Sequence, residues 1–296
     1  MKIYKYSGAG NDFVVIDGRA GADSAAVESF RSSAAIQALC SRTAGFKASD
    51  GRVGADGLMI LGDSASCDFA MEYYNSDGSG GMMCGNGGRC MVAFAHELGV
   101  WTHDGSSNYV FEAADGLHTG QVLAVDGSVK TVKLKMTDVY ECHPALDGWF
   151  LDTGTRHHVL FVPDVEKVDV DSKGRSLRWN PAFAPKGANV NFISMEDGVH
   201  RLKIRTFEKG VEAETLACGT GITASAIAAA AQEPGNAGCS CHYAVQARQV
   251  MLSVDFNFHQ DALQAALVST DGKATSPVAD EVYLTGPAEL ICIGSI

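Results

Sequence analysis

Two short elements of one pattern, Cys84-Gly85-Asn86-Gly87 and Cys218-Gly219-Thr220-Gly221, constrain this chain more than any other feature. Each follows a stretch in which polar and apolar residues alternate, Asp68 to Tyr74 and His200 to Phe207, the period of a half-buried strand. Each precedes a helix-like run, Arg89 to Leu98 stopped by Gly99 and Ile222 to Gln232 stopped near Pro234-Gly235. A glycine-rich loop joining strand to helix is therefore expected at both places. A second pair lies upstream: Gly54-Ala55-Asp56-Gly57 resembles Gly187-Ala188-Asn189-Val190, 30 residues before Cys84 and 31 before Cys218. A weaker third pair is Ser7-Gly8 and Thr153-Gly154. Landmarks that recur in order at near-constant spacing indicate an internal duplication, with a period too long for a solenoid. Two similar α+β lobes facing each other across a cleft are expected.

The lobe boundary is placed near residue 127, where Asp115-Gly116, Asp126-Gly127 and Asp147-Gly148 punctuate short strands such as Thr131 to Met136. The expected domains are 1–127, joined by a returning C-terminal strand within 283–296, and 128–282. The Ala-rich second helix should pack tightly.

Composition removes several classes of function. With 296 residues, 46% of them hydrophobic, the chain can bury a core without disulfide or metal staples. Lys+Arg is 23 against Asp+Glu 35, a formal charge of −12, which argues against nucleic acid or an anionic membrane as partner. No stretch approaches the roughly 18 unbroken apolar residues of a membrane span. The N-terminus lacks the basic-then-apolar pattern of an export signal, so a cytoplasmic protein is expected. Nine cysteines cannot all pair, and their spacing shows no disulfide framework. Cys239-Ser240-Cys241-His242 is the nearest approach to a metal site, but it lacks a second ligand pair at the usual spacing.

The paired cysteines suggest a task. A helix N-terminus presents unpaired N–H groups and partial positive charge, which favours a thiolate and docks a carboxylate. Two thiols at equivalent positions, one ionised and one not, suit removal of a proton from one face of a carbon and return to the other. That is racemisation or epimerisation. A disulfide oxidoreductase would prefer Cys-x-x-Cys, and a cysteine hydrolase one cysteine with a histidine. No P-loop, HExxH helix, GxSxG elbow or full dinucleotide fingerprint occurs.

The segments Gly8-Ala9-Gly10-Asn11-Asp12-Phe13, Gly54-Ala55-Asp56-Gly57, Asn75-Ser76-Asp77-Gly78-Ser79, Met83-Cys84-Gly85-Asn86-Gly87 with Arg89-Cys90, Glu214 to Gly221 and Leu284 to Glu289 resemble diaminopimelate epimerases, in family order from residue 8 to 289. Asn86 favours this branch over the proline racemases, which typically carry His there. The resemblance implies an α+β fold of two pseudo-symmetric lobes, each a mostly antiparallel sheet wrapped around a central helix, with the active-site cleft between them. It implies an enzyme without pyridoxal phosphate or metal that interconverts LL- and meso-diaminopimelate for lysine and peptidoglycan synthesis. By position, Cys84 and Cys218 are the acid/base pair. Gly85-Asn86 and Gly219-Thr220 would hold the reacting carboxylate through backbone N–H groups. Asn11, Asn75, Asn189 and Glu208 match substrate contacts, and His157 a supporting residue. The partner implied is a small amino acid, and a homodimer is a family-level expectation.

This chain also departs from the family. Thr155-Arg156-His157 stands where Asn-Pro-His is frequent, and Lys209 where Arg usually follows the glutamate. Arg156 or Lys209 is therefore the expected partner of the distal carboxylate, although an ammonium does not replace a guanidinium fork. No role is expected for Cys239 to Asp280. The competing readings are a proline or hydroxyproline epimerase on the same scaffold, and a non-catalytic redox-sensing binding protein in which Cys84 and Cys218 form a disulfide.

Overall fold

The structure is a computed structural model that describes residues 1–21, 24–81, 84–196, 200–233 and 239–295. The expected helix stop at Pro234-Gly235 and the motif residue Met83 lie outside the described residues, as does the Cys239 side chain. The chain forms two compact units, Met1–Leu134 with Gly286–Ile296, and Lys135–Thr285. Among the described residues no helix is long and apolar enough to cross a membrane.

Unit 1 contains β1 (Lys2–Gly8), β2 (Asn11–Asp17), α1 (Ser24–Ser29), α2 (Ser33–Cys40), β3 (Gly57–Gly62), β4 (Phe69–Asn75), α3 (Gly85–Glu97), β5 (Asn108–Ala113), β6 (Gly116–Asp126) and β7 (Val129–Lys135, through Leu134). Unit 2 contains β8 (Cys142–Ala145), β9 (Gly148–Asp152), β10 (Arg156–Phe161), α4 (Val170–Arg178), β11 (Asn189–Met195), β12 (Arg201–Glu208), β13 (Ala213–Thr215), α5 (Gly219–Gln232), β14 (Cys239–Gln246), β15 (Met251–Phe258) and α6 (Gln260–Val268). The last strand, β16 (Ala279–Ser295), serves unit 2 with its first residues and unit 1 from Gly286 onward.

In unit 1 the strands close into a ring. Neighbours run β1-β2-β3-β4-β5-β6-β7, and the second part of β16 pairs with both β7 and β1. Closure pairs the strands that would otherwise be sheet edges, which template aggregation when left open. Among the described residues of this unit, only β2–β3 and β4–β5 are parallel. The ring encloses α3, whose residues from Gly85 to Ala95 are all buried. A helix covered on every side has no need of a polar stripe, and Met91, Val92, Phe94 and Cys90 accordingly fill its surface. Phe94 packs at an angle against Tyr4, with centroids 4.8 Å apart.

Unit 2 repeats this plan over five successive strand pairings, with β8 and β13 added to it. The pairings β9–β10, β10–β11, β11–β12, β12–β14 and β14–β15 alternate antiparallel and parallel in the same order as β1 through β6. The loop residues 136–141 nearly complete the ring, since Val139 bridges Ala279 and Glu141 bridges Lys273. α5 occupies the interior, touching β9, β10, β11, β12, β14 and β15. Ala224, Ala226, Ala228, Ala229 and Ala230 are fully buried, so small side chains let the surrounding strands approach. The α+β duplication expected from the sequence is thus present in the element order and in the strand pairing.

The Gly-Ala landmark has a structural cause. Gly54 and Gly187 each follow a helix, α2 and α4, and each adopts a positive φ, 66° and 65°. The next residue then donates its N–H to the carbonyl of the helix's last residue, Ala55 to Cys40 at 3.0 Å and Ala188 to Arg178 at 3.2 Å. A Cβ on either glycine would sit within 2.5 Å of that same carbonyl oxygen.

Candidate active site

Both Cys-Gly-x-Gly elements are the first turns of helices, not the loops expected before them. Cys84 has extended backbone angles (φ −106°, ψ 145°) and is the N-cap of α3, and Cys218 (φ −114°, ψ 110°) is the N-cap of α5. The first intrahelical bonds match, Gly88 N–H to Cys84 O and Ile222 N–H to Cys218 O, both 2.8 Å. Pattern reading begins each helix too late because glycine lowers helix propensity. Two of the glycines leave little or no room for a side chain. A Cβ on Gly87 would lie 3.3 Å from Cys84 Sγ, and one on Gly221 only 2.5 Å from Asn191 Oδ1.

The two sulfurs meet different neighbours. Cys84 is half-buried, and its Sγ accepts the Gly87 N–H at 3.2 Å. Cys218 is buried, and its Sγ lies 3.4 Å from the Thr220 hydroxyl oxygen. The leading amides of a helix lack intrahelical acceptors and carry the positive end of the dipole. Each thiol therefore stands where negative charge is stabilised.

In unit 1 a polar chain runs back from the buried helix start toward the surface. Arg89, fully buried, donates to Asn86 Oδ1 at 2.8 Å and to Gly85 O at 3.3 Å. Asn86 donates to Asn11 Oδ1 at 2.7 Å, and Asn11 donates to Asp56 Oδ2 at 3.0 Å. Arg42 joins Asp56 to Asp12, and Asp12 pairs with the fully buried Lys5 at 2.7 Å. Lys5 in turn caps the Gly54 carbonyl. Burial pushes the Asp12 carboxyl up, but bonds and charge from Arg42 and Lys5 prevail and hold it below the ordinary value. Burial brings the Arg89 guanidinium down to about 10, opposed by the negative charge available at Cys90 and Cys84. Asn75, ending β4, donates to Ser79 Oγ at 3.0 Å within a tight turn that Asp77 also braces.

In unit 2, His157 on β10 points at the start of α5. Its Nε2 lies 3.0 Å from Thr220 Oγ1 and its Nδ1 3.0 Å from Asn191 Nδ2. Burial and then the Lys209 charge drive its pKa down to about 3, against the Asn191 hydrogen bond, so the ring is neutral. Thr153, on the turn after β9, donates to Thr220 O at 3.1 Å. Asn189 bridges two elements, donating to Arg156 O at 3.0 Å and accepting the Lys209 N–H at 2.7 Å. That bond fixes the end of β12, where Glu208 and Lys209 sit. Gly219 is the first helical residue after Cys218.

Thus Cys84, Gly85, Asn86 and Asn11 gather at one helix start, and Cys218, Gly219, Thr220 and His157 at the other, with Asn189 binding the Lys209 backbone. Arg156 takes a different place from the one expected of a carboxylate partner. Strand alternation turns it to the face of β10 opposite His157, where its guanidinium donates to Phe183 O at 2.8 Å and lies 4.8 Å over the Phe150 ring. A cavity of about 380 Å³ there is lined by Arg156, His143, Phe150 and Asp271 among others. Of the two cations considered for the distal carboxylate, Lys209 is the one felt at His157.

Pattern reading gives no role to Arg89, Asn191, Thr206 or Asp56. Arg89 carries a usable signal, since it is a lone charge at the head of an apolar helical run. Asn191 and Thr206 do not, because a polar residue in an alternating strand ordinarily faces solvent.

A family model described as diaminopimelate epimerase matches residues 3–139 and 149–274. A diaminopimelate epimerase of Flavobacterium psychrophilum is 37% identical over 293 residues, covering 98% of each chain. Among solved structures, a phenazine biosynthesis protein of the PhzF family from Bacillus anthracis superposes with a TM-score of 0.65 at 11% identity, covering 100% of this chain and 98% of its own. A probable proline racemase from Agrobacterium radiobacter gives 0.63 at 14% identity, covering 100% and 92%. These two likenesses speak to fold alone. From the family match and the close relative, the chain belongs to the diaminopimelate epimerase family of isomerases.

Proposed function

We propose that this protein epimerises LL-diaminopimelate to the meso form without a cofactor, with Cys84 and Cys218 as the two acid/base groups. The observation that carries the reading is the equivalence of the two cysteines: each is the N-cap of the central helix in one of two units with the same strand pairing. One thiolate takes the α-proton, and the opposite thiol delivers a proton to the other face. In the reverse reaction the roles exchange. The carbanion formed is stabilised through its carboxylate, for which the amides of Gly85-Asn86 and Gly219-Thr220 are suitable donors. Such donors are worth most where water is excluded.

Asn11, Asn75, Asn189 and Glu208 are assigned to substrate contact, with His157 in support. Lys209 is assigned to the distal carboxylate, since Arg156 is engaged by Phe183 and Phe150. Having its acid and base in two side chains, the protein needs no prosthetic group for proton transfer. A cytoplasmic site of action and a homodimeric assembly complete the proposal.

The test is conversion of LL-diaminopimelate followed by chiral chromatography, on protein dialysed against a chelator and a carbonyl reagent that strips pyridoxal phosphate. Conversion at undiminished rate, with none of trans-4-hydroxyproline, is expected. Turnover of hydroxyproline but not diaminopimelate would move the chain to the proline-type reading.

A further inference from the structure

The hydrogen bonds behind Cys218 have a direction that can be worked out proton by proton. Asn191 is fully buried on β11, opposite Val159 of β10 and Thr206 of β12. Its Nδ2 is 3.0 Å from His157 Nδ1 and 3.4 Å from the His158 carbonyl oxygen. Its Oδ1 is 3.0 Å from the Thr206 hydroxyl. A backbone carbonyl can only accept, so the amide must present its NH₂ to that side and its oxygen to Thr206. His157 Nδ1 therefore accepts.

A neutral imidazole carries a single N–H, and with Nδ1 accepting, that proton is on Nε2. Nε2 faces Thr220 Oγ1 at 3.0 Å, so Thr220 accepts from the ring. The hydroxyl's own proton is then available to Cys218 Sγ, 3.4 Å away. Gly221 makes the arrangement possible, since a Cβ there would strike Asn191 Oδ1.

We propose that Asn191 is a positioning residue for the reaction: by holding His157 as the Nε2–H tautomer, it aims the Thr220 hydroxyl proton at Cys218 and so favours the thiolate there. This rests on the reading of Cys218 as an acid/base group. Every link from Asn191 onward donates toward the sulfur, so the chain meets a thiolate with a hydrogen bond and a protonated thiol with a competing donor. The charged groups at the end of β12 are Glu208 and Lys209; burial first, and then the Lys209 ammonium, keeps the ring neutral. The ring's hydrogen-bond partners among the described residues, Asn191 and Thr220, are uncharged, and His158 turns to the Ala145 carbonyl instead.

Two measurements test the proposal on the full chain. Nitrogen-15 NMR of His157 should show a protonated Nε2 and a bare Nδ1 from pH 5 to pH 9. A ring protonated at Nδ1, or one that titrates in that range, overturns it. The second measurement is the pH dependence of Cys218 alkylation by iodoacetamide, followed on the Cys218 peptide. Asn191→Asp replaces the NH₂ with an acceptor and forces the ring proton onto Nδ1. It should raise the midpoint by about one pH unit, roughly tenfold slower alkylation at fixed pH below the midpoint. Thr220→Val should shift it in the same direction, while Thr220→Ser should keep the wild-type midpoint. Identical midpoints in Thr220→Val and wild type overturn the proposal. Where the buried carboxylate introduced by Asn191→Asp prevents folding, the Thr220 pair decides alone. Failure of the epimerase reading shows differently: the midpoints shift as described, but the protein exchanges no α-proton of diaminopimelate.

Discussion

Gly54 and Gly187 occupy the same place in the two units, each with a left-handed backbone that brings the next N–H onto the last carbonyl of the helix before it, α2 or α4. Alanine at either position meets both a backbone oxygen and an unfavourable φ. The left-handed conformation alone costs about 1–2 kcal/mol. Gly54→Ala and Gly187→Ala should each cost more than ~2 kcal/mol in chemical denaturation, once the backbone shift is included. Gly127→Ala, with a φ of 56° and open space around it, should lose only ~1–2 kcal/mol. Equal losses at all three would show that the close carbonyl approach is immaterial.

Cys84 is both an N-cap and the proposed acid/base group, and these roles separate on substitution. Serine is among the better N-cap residues, so Cys84→Ser should keep stability within ~1 kcal/mol of wild type. Its hydroxyl is a far weaker acid, so epimerisation should fall by about 10²-fold or more. Thermal melts and turnover measured on the same preparation check this. A large loss of stability with activity retained would reverse the assignment.

Arg89 places a buried guanidinium behind the Cys84 turn. Negative charge at Cys84 favours the charged form of Arg89, so by reciprocity the guanidinium favours the Cys84 thiolate. Arg89→Met should raise the pH midpoint for alkylation of Cys84, and Arg89→Lys should keep most of the wild-type behaviour. A midpoint that falls in Arg89→Met has the wrong sign.

Asp12 ties unit 1 to pH. Its folded pKa is depressed, so its stabilising contribution is complete above the unfolded value of about 3.9 and is lost as pH falls through the lower folded value. Asp12→Asn should therefore show a flatter loss of stability between pH 6 and pH 2 than wild type. At neutral pH it should be less stable by ~3–5 kcal/mol, because Lys5 would remain buried without its counter-charge. Urea denaturation at a series of pH values reads both effects.

The duplication is legible in the sequence because its landmarks have the same physical task at both copies. Gly54 and Gly187 cannot carry a Cβ, and Cys84 and Cys218 both cap central helices, so the same residue types recur at the same spacing. The helix starts are misplaced by pattern because Gly85, Gly87 and Gly219 read as loop, whereas they form the buried first turns of α3 and α5. Arg156 is misdirected because one residue's shift along a strand exchanges faces, and sequence alone does not fix that parity at the Thr155-Arg156 departure. The partners Asn191 and Thr206 are hidden because a buried polar pair in a strand looks like any solvent-facing alternation. Their role follows only from distances to His157 and to the His158 carbonyl.

Two thiols, each handling one proton at a single stereocentre, are the centre of the proposed mechanism. The most direct measurement is incorporation of solvent deuterium at the α-carbon of diaminopimelate, for wild type, Cys84→Ala and Cys218→Ala. One deuteron is predicted in the epimerised product of wild type, and no epimerised product from either variant. Epimerisation by wild type without label, or by either alanine variant at the wild-type rate, would contradict the mechanism.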